Sequence, residues 1–335
     1  MVERELITGP FEFEAGGRAD SVRLVFHTSE GVPSGKKVVW ICHALTANSN
    51  PEDWWPAIVG QGRIMDPSRY FIVCVNMLGS AYGSSGPSTD DGSGKPWFFR
   101  FPAITIRDMA KAMDLVRESL GISRIDLLIG SSIGGFQALE WACGRPELFE
   151  AALFMATAPR ISPWLSAWAE TQRMALEADP TFRECRDLSG GAAGLRCARA
   201  QALISYRCFE GYALTQKEED PDCLFAKRAG SYQRYQGEKL IRRGFNAYSY
   251  YYLCDALDSH NVGRGRGGVE KALGRISARS IVAVIETDNI FPVIETSVWA
   301  GWIPGAGKKL VKSSFGHDGF LLETAQVESL INELI

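Results

Sequence analysis

The sequence predicts an α/β protein: a mostly parallel sheet flanked by helices, with a helical segment inserted late in the chain. Three observations carry this prediction. Short apolar runs rich in branched residues recur at residues 37–42, 70–75, 125–129, 151–156, 278–285 and 308–313, the pattern of strands buried on both faces. Between residues 105 and 156, helix-period segments alternate with such runs, as a parallel sheet covered by helices requires. From residue 161 to residue 272 the alternation stops, and the chain is mostly helical in pattern, rich in Trp and Tyr, and without a buried-strand run. The expected division is therefore a core of residues 1–160 and 273–335 with a helical lid at 161–272.

Composition bounds the function. The chain has 335 residues, 46% hydrophobic and 22% charged, enough for one large core with an inserted subdomain. A net charge of −3 provides no electrostatic drive toward nucleic acid or an anionic membrane. No apolar run reaches the length of a membrane span, and Met1-Val2-Glu3-Arg4-Glu5-Leu6 lacks the basic and apolar regions of a signal peptide. The eight cysteines have no paired spacing, and Cys42, Cys74 and Cys143 sit inside apolar runs as buried free thiols do. A reduced, cytoplasmic protein is expected. No Cys-x-x-Cys and no His/Cys cluster points to a metal.

Taken in order, the first thirty-odd residues read as antiparallel strands, with residues 22–27 the clearest, and a turn follows at 31–35. The strand at 37–42 runs directly into His43-Ala44-Leu45-Thr46, and the strand at 70–75 leads to a Gly/Ser-rich loop at 78–87. Thr105 caps a helix in which Ile106, Met109, Met113 and Val116 keep helical spacing, and Gly121 ends it. The run 125–129 then meets Gly130-Ser131-Ser132-Ile133-Gly134, and a helix with Ala138, Leu139, Trp141 and Ala142 on its apolar face follows. After the lid come the strands at 278–285 and 308–313 and a C-terminal helix over 324–334.

The central motif is G-x-S-x-G between a buried strand and a helix. A serine on such a sharp turn lifts its hydroxyl above the sheet, the glycines let strand and helix pass closely, and the helix N-terminus faces developing negative charge. Ser132 is the serine, because Ser131 would need glycine at position 129, which is Ile129. An activated serine needs a base, and the base an orienting acid, in the chain order Ser, acid, His at the ends of later strands. The strand at 278–285 ends in Glu286-Thr287-Asp288, and the strand at 308–313 leads to His317-Asp318. His27 lies in an early strand, His43 follows the strand that should carry the oxyanion loop and His260 lies in the lid, which leaves His317 as the base. Glu286 and Asp288 both qualify as the acid. The oxyanion hole pairs the Ile133 amide with one from Leu45 or Thr46. Gly263-Arg264-Gly265-Arg266-Gly267-Gly268 matches G-x-G-x-x-G but follows a tyrosine-rich helical stretch rather than a strand. It reads as a flexible loop with two solvated arginines, or alternatively as a place where Arg264 and Arg266 meet the phosphates of a carrier substrate.

Several segments together resemble the homoserine O-acyltransferases, in particular the homoserine O-acetyltransferases, members of the α/β-hydrolase superfamily. They are His43-Ala44-Leu45-Thr46-Ala47-Asn48-Ser49, Asp53-Trp54-Trp55, residues 70–76, Tyr82-Gly83-Ser84-Ser85-Gly86-Pro87, residues 101–108, the elbow through Trp141, residues 231–239, Asp288-Asn289-Ile290-Phe291-Pro292 and residues 316–321. The resemblance implies an α/β-hydrolase fold with a helical lid that also forms a homodimer. It selects Asp288 as the acid and Leu45 with Ile133 as the oxyanion pair. It implies that Arg199 grips the carboxylate of an amino-acid acceptor, that Tyr206 lies beside it, and that Asp318 takes the ammonium group. An Arg fork suits a carboxylate and an Asp suits an amine; the alternatives are a lid salt bridge for Arg199 and ordinary packing for Tyr206. The implied activity is ping-pong transfer of an acetyl group from acetyl-CoA, a co-substrate with no bound cofactor beside it, to L-homoserine on the route to methionine. Related enzymes use succinyl donors or serine acceptors. A serine hydrolase with the same triad would need neither Arg199 nor Asp318, and a ligand sensor on the same fold would need no triad. The sequence departs from the family's usual pattern at Ile133, where Met is common, at Glu286, where a small residue is usual, and in a shorter N-terminal segment.

Overall fold

The apolar runs fold as strands where their patterns place them. The computed structural model describes residues 1–335. Its strands, numbered in chain order, are β1 Val2–Ile7, β2 Phe11–Glu12, β3 Arg18–Ala19, β4 Arg23–Thr28, β5 Lys37–Cys42, β6 Tyr70–Val75, β7 Ile125–Ser131, β8 Phe149–Met155, β9 Arg279–Ile285 and β10 Gly307–Val311. The helices of the first half are α1 Pro51–Trp54, α2 Ile106–Ser119 and α3 Ile133–Gly144. Between β8 and β9 lie α4 Pro163–Glu177, α5 Ala192–Tyr206, α6 Phe209–Thr215, α7 Arg228–Arg242, α8 Ala247–Asp258 and α9 Val269–Leu273. The chain ends with α10 Val293–Trp299, α11 Gly319–Leu322 and α12 Thr324–Asn332.

Eight strands form one sheet in the order β1-β4-β6-β5-β7-β8-β9-β10, and β2 pairs with β3 as a separate hairpin. β1 and β4 are antiparallel to their neighbours, whereas β6 through β10 run parallel. Although the runs look continuous in sequence, the pleat sorts them by parity. Trp40, Leu128, Phe154 and Val282 face the core shared with α2 and α3, while Val39, Ile41, Leu127, Ile129, Leu153 and Ile281 face Trp55 and the apolar side of α12. The edge strand β10 alternates instead, with Lys309 half-buried and Lys308 and Leu310 exposed, and such lysines discourage pairing with another chain.

The capping residues act as the sequence predicts. Thr105 and Asp108 form a reciprocal capping box at α2, and Gly121 takes φ +67° just beyond its end. β10 stops at Val311, two residues earlier than its apolar run suggests. Ser313 has left the ladder: its carbonyl accepts from Thr287 Oγ1 at 2.8 Å and its hydroxyl from the Phe315 N–H at 3.1 Å.

The helices between β8 and β9 pack closely. A Cβ on Gly194 would come within 2.6 Å of the Ala175 carbonyl, and one on Gly237 within 3.0 Å of the Arg196 carbonyl, so α5 lies tight against α4 and α7. The tyrosines of α8 are anchors rather than surface decoration: Tyr250 Oη donates to Gln172 at 2.6 Å and Tyr252 Oη to the Phe101 carbonyl at 2.7 Å.

The glycine-rich loop after α8 differs from both expectations for it. Arg266 donates twice to the buried Glu140 (2.6 and 2.9 Å), which also accepts from Arg107 at 2.7 Å. Arg264 and Arg107 each pair with Glu14 at 2.8 Å. Arg264 is therefore exposed but ion-paired and Arg266 is largely buried, so neither is free for phosphates; together they clamp the loop to α2, α3 and the N-terminal segment. Removing one partner of a buried ion pair leaves uncompensated charge. Glu140→Ala should lower the unfolding free energy by about 3–5 kcal/mol, seen as a lower urea midpoint at unchanged slope.

Candidate active site

Ser132 occupies backbone that L-residues rarely adopt, with φ +58° and ψ −131°. Such strain costs roughly 1–3 kcal/mol and persists only when the surroundings impose it. Here the Ser132 N–H donates to the Met155 and Ala156 carbonyls at 3.2 and 3.1 Å. Its carbonyl accepts from the Gly135 and Phe136 N–H groups and from Thr157 Oγ1. The glycines are dictated by contact. A Cβ on Gly130 would lie 2.5 Å from the Gly134 carbonyl oxygen, one on Gly134 2.1 Å from the Cys42 carbonyl oxygen, and one on Gly135 2.4 Å from Thr157 Oγ1. Gly135, outside the motif, is thus as constrained as the two inside it.

His317 Nδ1 lies 2.7 Å from Asp288 Oδ2, and the other carboxylate oxygen accepts the N–H groups of Ile290 and Phe291 at 2.7 and 3.0 Å. Glu286 is exposed and joins no such bond, so of the two acids only Asp288 reaches the imidazole. The carboxylate fixes the proton on Nδ1 and leaves Nε2 as the basic nitrogen. Burial pushes the His317 pKa down, but the hydrogen-bonded Asp288 carboxylate outweighs it, Asp318 adds to the rise, and the net shift is upward. The other histidines are engaged elsewhere. His27 Nδ1 meets Ser49 Oγ at 2.8 Å, and His260 stacks on Phe136 with its Nε2 2.9 Å from the Ala158 carbonyl.

His43 has a part in the site that sequence reasoning missed. It is fully buried, and burial pushes its pKa down to about 4. Neutral, it donates from Nδ1 to the Ala44 carbonyl at 2.9 Å and accepts the Met77 N–H at Nε2 at 3.2 Å. It thereby ties the loop carrying Leu45 to the end of β6. The N–H groups of Leu45, Thr46 and Ile133 donate to no main-chain carbonyl.

A cavity of about 310 Å³ brings Ser132, His317 and Leu45 together with Arg199, Tyr206 and Asp318. A larger cleft of about 460 Å³, between the start of α4 and α10, contains no triad residue. Arg199 has no carboxylate partner: its Nε is buried without a hydrogen bond, and its guanidinium lies 5.7 Å from the Tyr206 ring centre. The lid salt bridge considered for it is absent. The Tyr206 phenol is pushed up to about 12 by burial, and its ring lies 5.8 Å from that of His317. Asp318 meets Arg207 at 3.1 Å, and Asp53 meets Arg243 at 2.8 Å; both Asp53 and Arg243 also line the cavity. Neither arginine carried a sequence signal, because each finds its acid more than a hundred residues away.

Residues 37–324 match the alpha/beta hydrolase fold family. Over 95% of its length the chain is 40% identical to a homoserine O-acetyltransferase of Cyclobacterium marinum, 90% of which is covered. Among solved structures, the homoserine O-acetyltransferase of Bacillus anthracis superposes with a TM-score of 0.89 over 99% of this chain and 97% of that one, at 20% identity. Esterase E22 superposes with a TM-score of 0.88 over 99% of both chains, at 19% identity. These two structures share the fold, and a transferase and an esterase on one backbone mean that the fold alone does not choose the acceptor.

The raised pKa of His317 has a kinetic consequence. A protonated imidazole cannot take the Ser132 proton, so acylation by an activated acetyl ester should fall as pH drops through a pKa above the ordinary value of about 6.5. Asp318→Asn removes one of the charges that raise it and should move this acidic limb to lower pH, as read from the pH profile of the acylation burst.

Proposed function

The chain belongs to the homoserine O-acetyltransferase family of the α/β-hydrolase fold, and we propose that it moves an acetyl group from acetyl-CoA to the hydroxyl of L-homoserine. The product is O-acetyl-L-homoserine, for methionine biosynthesis. The observation that carries the acceptor assignment is the unpaired Arg199 in the same cavity as Ser132 and Asp318. A hydrolase, whose second substrate is water, has no use for a half-buried arginine with an unpaired buried Nε, whereas an amino-acid acceptor brings the carboxylate it lacks.

The mechanism follows from the roles each group can fill. His317 Nε2 takes the Ser132 proton, and Oγ attacks the thioester carbon. The Leu45 and Ile133 amides hold the oxyanion, and the CoA thiolate leaves with the proton from His317. Homoserine then binds with its carboxylate on Arg199 and its ammonium on Asp318. His317 removes its hydroxyl proton, and the alkoxide attacks the acetyl-Ser132 carbonyl. Tyr206 packs beside Arg199 and helps exclude the competing water. Acetyl-CoA enters as co-substrate and no resident cofactor takes part.

Two further features belong to this reading. Phe209, Leu214, Leu224 and Phe225 are 84%, 69%, 86% and 71% exposed on α6 and the segment after it, and we assign this apolar surface to a homodimer contact. No helix is long and apolar enough to cross a membrane, and all eight cysteines are free, which fits a cytoplasmic enzyme.

Free-thiol release from acetyl-CoA tests the proposal. It should require homoserine, and Ser132→Ala should reduce it roughly 10⁴-fold or more. Arg199→Gln should raise the homoserine KM about 10–100-fold, as loss of a charged hydrogen-bond partner does. Thiol release that proceeds equally without acceptor would replace the transferase reading with a hydrolase. For the dimer, light scattering should give twice the chain mass, and Phe209→Asp with Phe225→Asp should give a monomer.

A further inference from the structure

The ion pairs around the cavity leave one cation uncompensated. Apart from His317, the cations lining it are Arg199 and Arg243. Arg243 Nη2 donates to Asp53 Oδ2 at 2.8 Å, and the same oxygen accepts Asn48 Nδ2 at 3.0 Å. Asp318 meets Arg207 at 3.1 Å, whereas Arg199 meets no carboxylate. We propose that Asp53 determines acyl-donor selectivity: by closing an ion pair with Arg243 it leaves Arg199 as the single open cation, so that once the acceptor's carboxylate occupies Arg199 the site transfers a neutral acyl group but not one bearing a carboxylate. This rests on the acyl-transfer reading above and names the donor class for that same site.

Both partners are held in place. Asp53 lies in α1, whose N-cap Asn50 and Trp54 Nε1 are both bonded to Asn48, at 2.9 Å each. Arg243 follows α7 directly, before Gly244 at φ +85° and Phe245, whose ring packs edge-on to Tyr82 at 5.6 Å. The pair thus joins a core loop to the lid at the cavity. With side chains 40% and 47% exposed, it contributes little to stability, so stability alone does not account for it. Its effect on ligand charge is larger. An amino-acid acceptor places its carboxylate on Arg199 and its ammonium on Asp318. A dicarboxylic acyl group would then bring a second carboxylate to a cavity with no open cation, beside the negative Asp53. Exclusion by an unpaired like charge is how a site rejects a ligand that differs by one group.

The test uses the full chain, with homoserine as acceptor and acetyl-CoA, propionyl-CoA or succinyl-CoA as donor. Asp53→Asn keeps the side-chain volume and releases Arg243. The kcat/KM for homoserine at saturating donor reports transfer from the acyl-enzyme, and its succinyl-to-acetyl ratio should rise at least about tenfold over wild type. Adding Arg243→Gln should return the ratio toward the wild-type value. The propionyl-to-acetyl ratio reports size without charge and should stay within about twofold throughout. Asp53→Ser, which frees the same guanidinium with a smaller side chain, should move the succinyl ratio in the same direction and guards against misfolding of one variant. A flat succinyl ratio in both Asp53 variants, an equal rise for propionyl, or a wild type that uses succinyl-CoA as well as acetyl-CoA overturns the proposal. If wild type transfers nothing to homoserine from any donor, the acyl-transfer reading fails and this inference with it. If wild type transfers but the variants leave the ratios unchanged, this inference alone fails.

Discussion

The site depends on how closely α3 crosses the sheet. Gly134 sits against the Cys42 carbonyl and Gly130 against the Gly134 carbonyl, at separations no Cβ could occupy. That approach forces the chain to turn from strand to helix within one residue, and Ser132 takes the strained backbone that results. The strain is held by the carbonyls at the end of β8, by the amides of Gly135 and Phe136, and by the Thr157 hydroxyl. Because β5, β7 and β9 run parallel, their C-terminal ends meet at the same edge. Leu45, Ser132 and Asp288 therefore converge without any one of them being near another in sequence.

The polar groups around that turn are almost all satisfied, and the exception is informative. Asp288 has one oxygen on His317 and the other on two main-chain amides, so neither its position nor the imidazole tautomer is free. His43 is kept neutral by burial and used as a strut between two loops. Asp53 and Asp318 each hold an arginine. In the cavity of Ser132, Arg199 has a buried donor with no acceptor. A buried unpaired donor costs free energy that a carboxylate in the cavity would recover.

Reaction chemistry and ligand choice come from different parts of the chain. Ser132, Asp288 and His317 stand on the turns and loops that follow β7, β9 and β10. Arg199 and Tyr206 come from α5, and Arg207 and Arg243 directly follow α5 and α7, between β8 and β9. Those helices are locked to each other by small-residue contacts and the Tyr250 hydroxyl, and to the core by the Tyr252 hydroxyl. The cavity side chains from this part of the chain are therefore held on packed helices or directly at their ends, a rigid support for a site.

By itself the sequence determined what depends on local pattern and chain order. Buried runs mark the parallel strands, Gly130 and Gly134 mark the turn, Thr105 and Asp108 cap α2, and the order Ser132, Asp288, His317 follows the strand ends. These features are legible because each is imposed by the backbone geometry of its own neighbourhood. Pairings between distant side chains are not. Strand order left Asp288 and Glu286 both open and only the family resemblance chose Asp288; the physical reason, that the packed loop aims it at His317, lies in the tertiary structure. The ion pairs Asp53–Arg243 and Asp318–Arg207, and the carboxylate clamps on Arg264 and Arg266, link residues between 111 and 250 positions apart or bury charge that composition reads as solvated. Such pairings arise only when the lid closes on the sheet, because Coulomb and hydrogen-bond terms depend on distance in space and carry no trace along the chain.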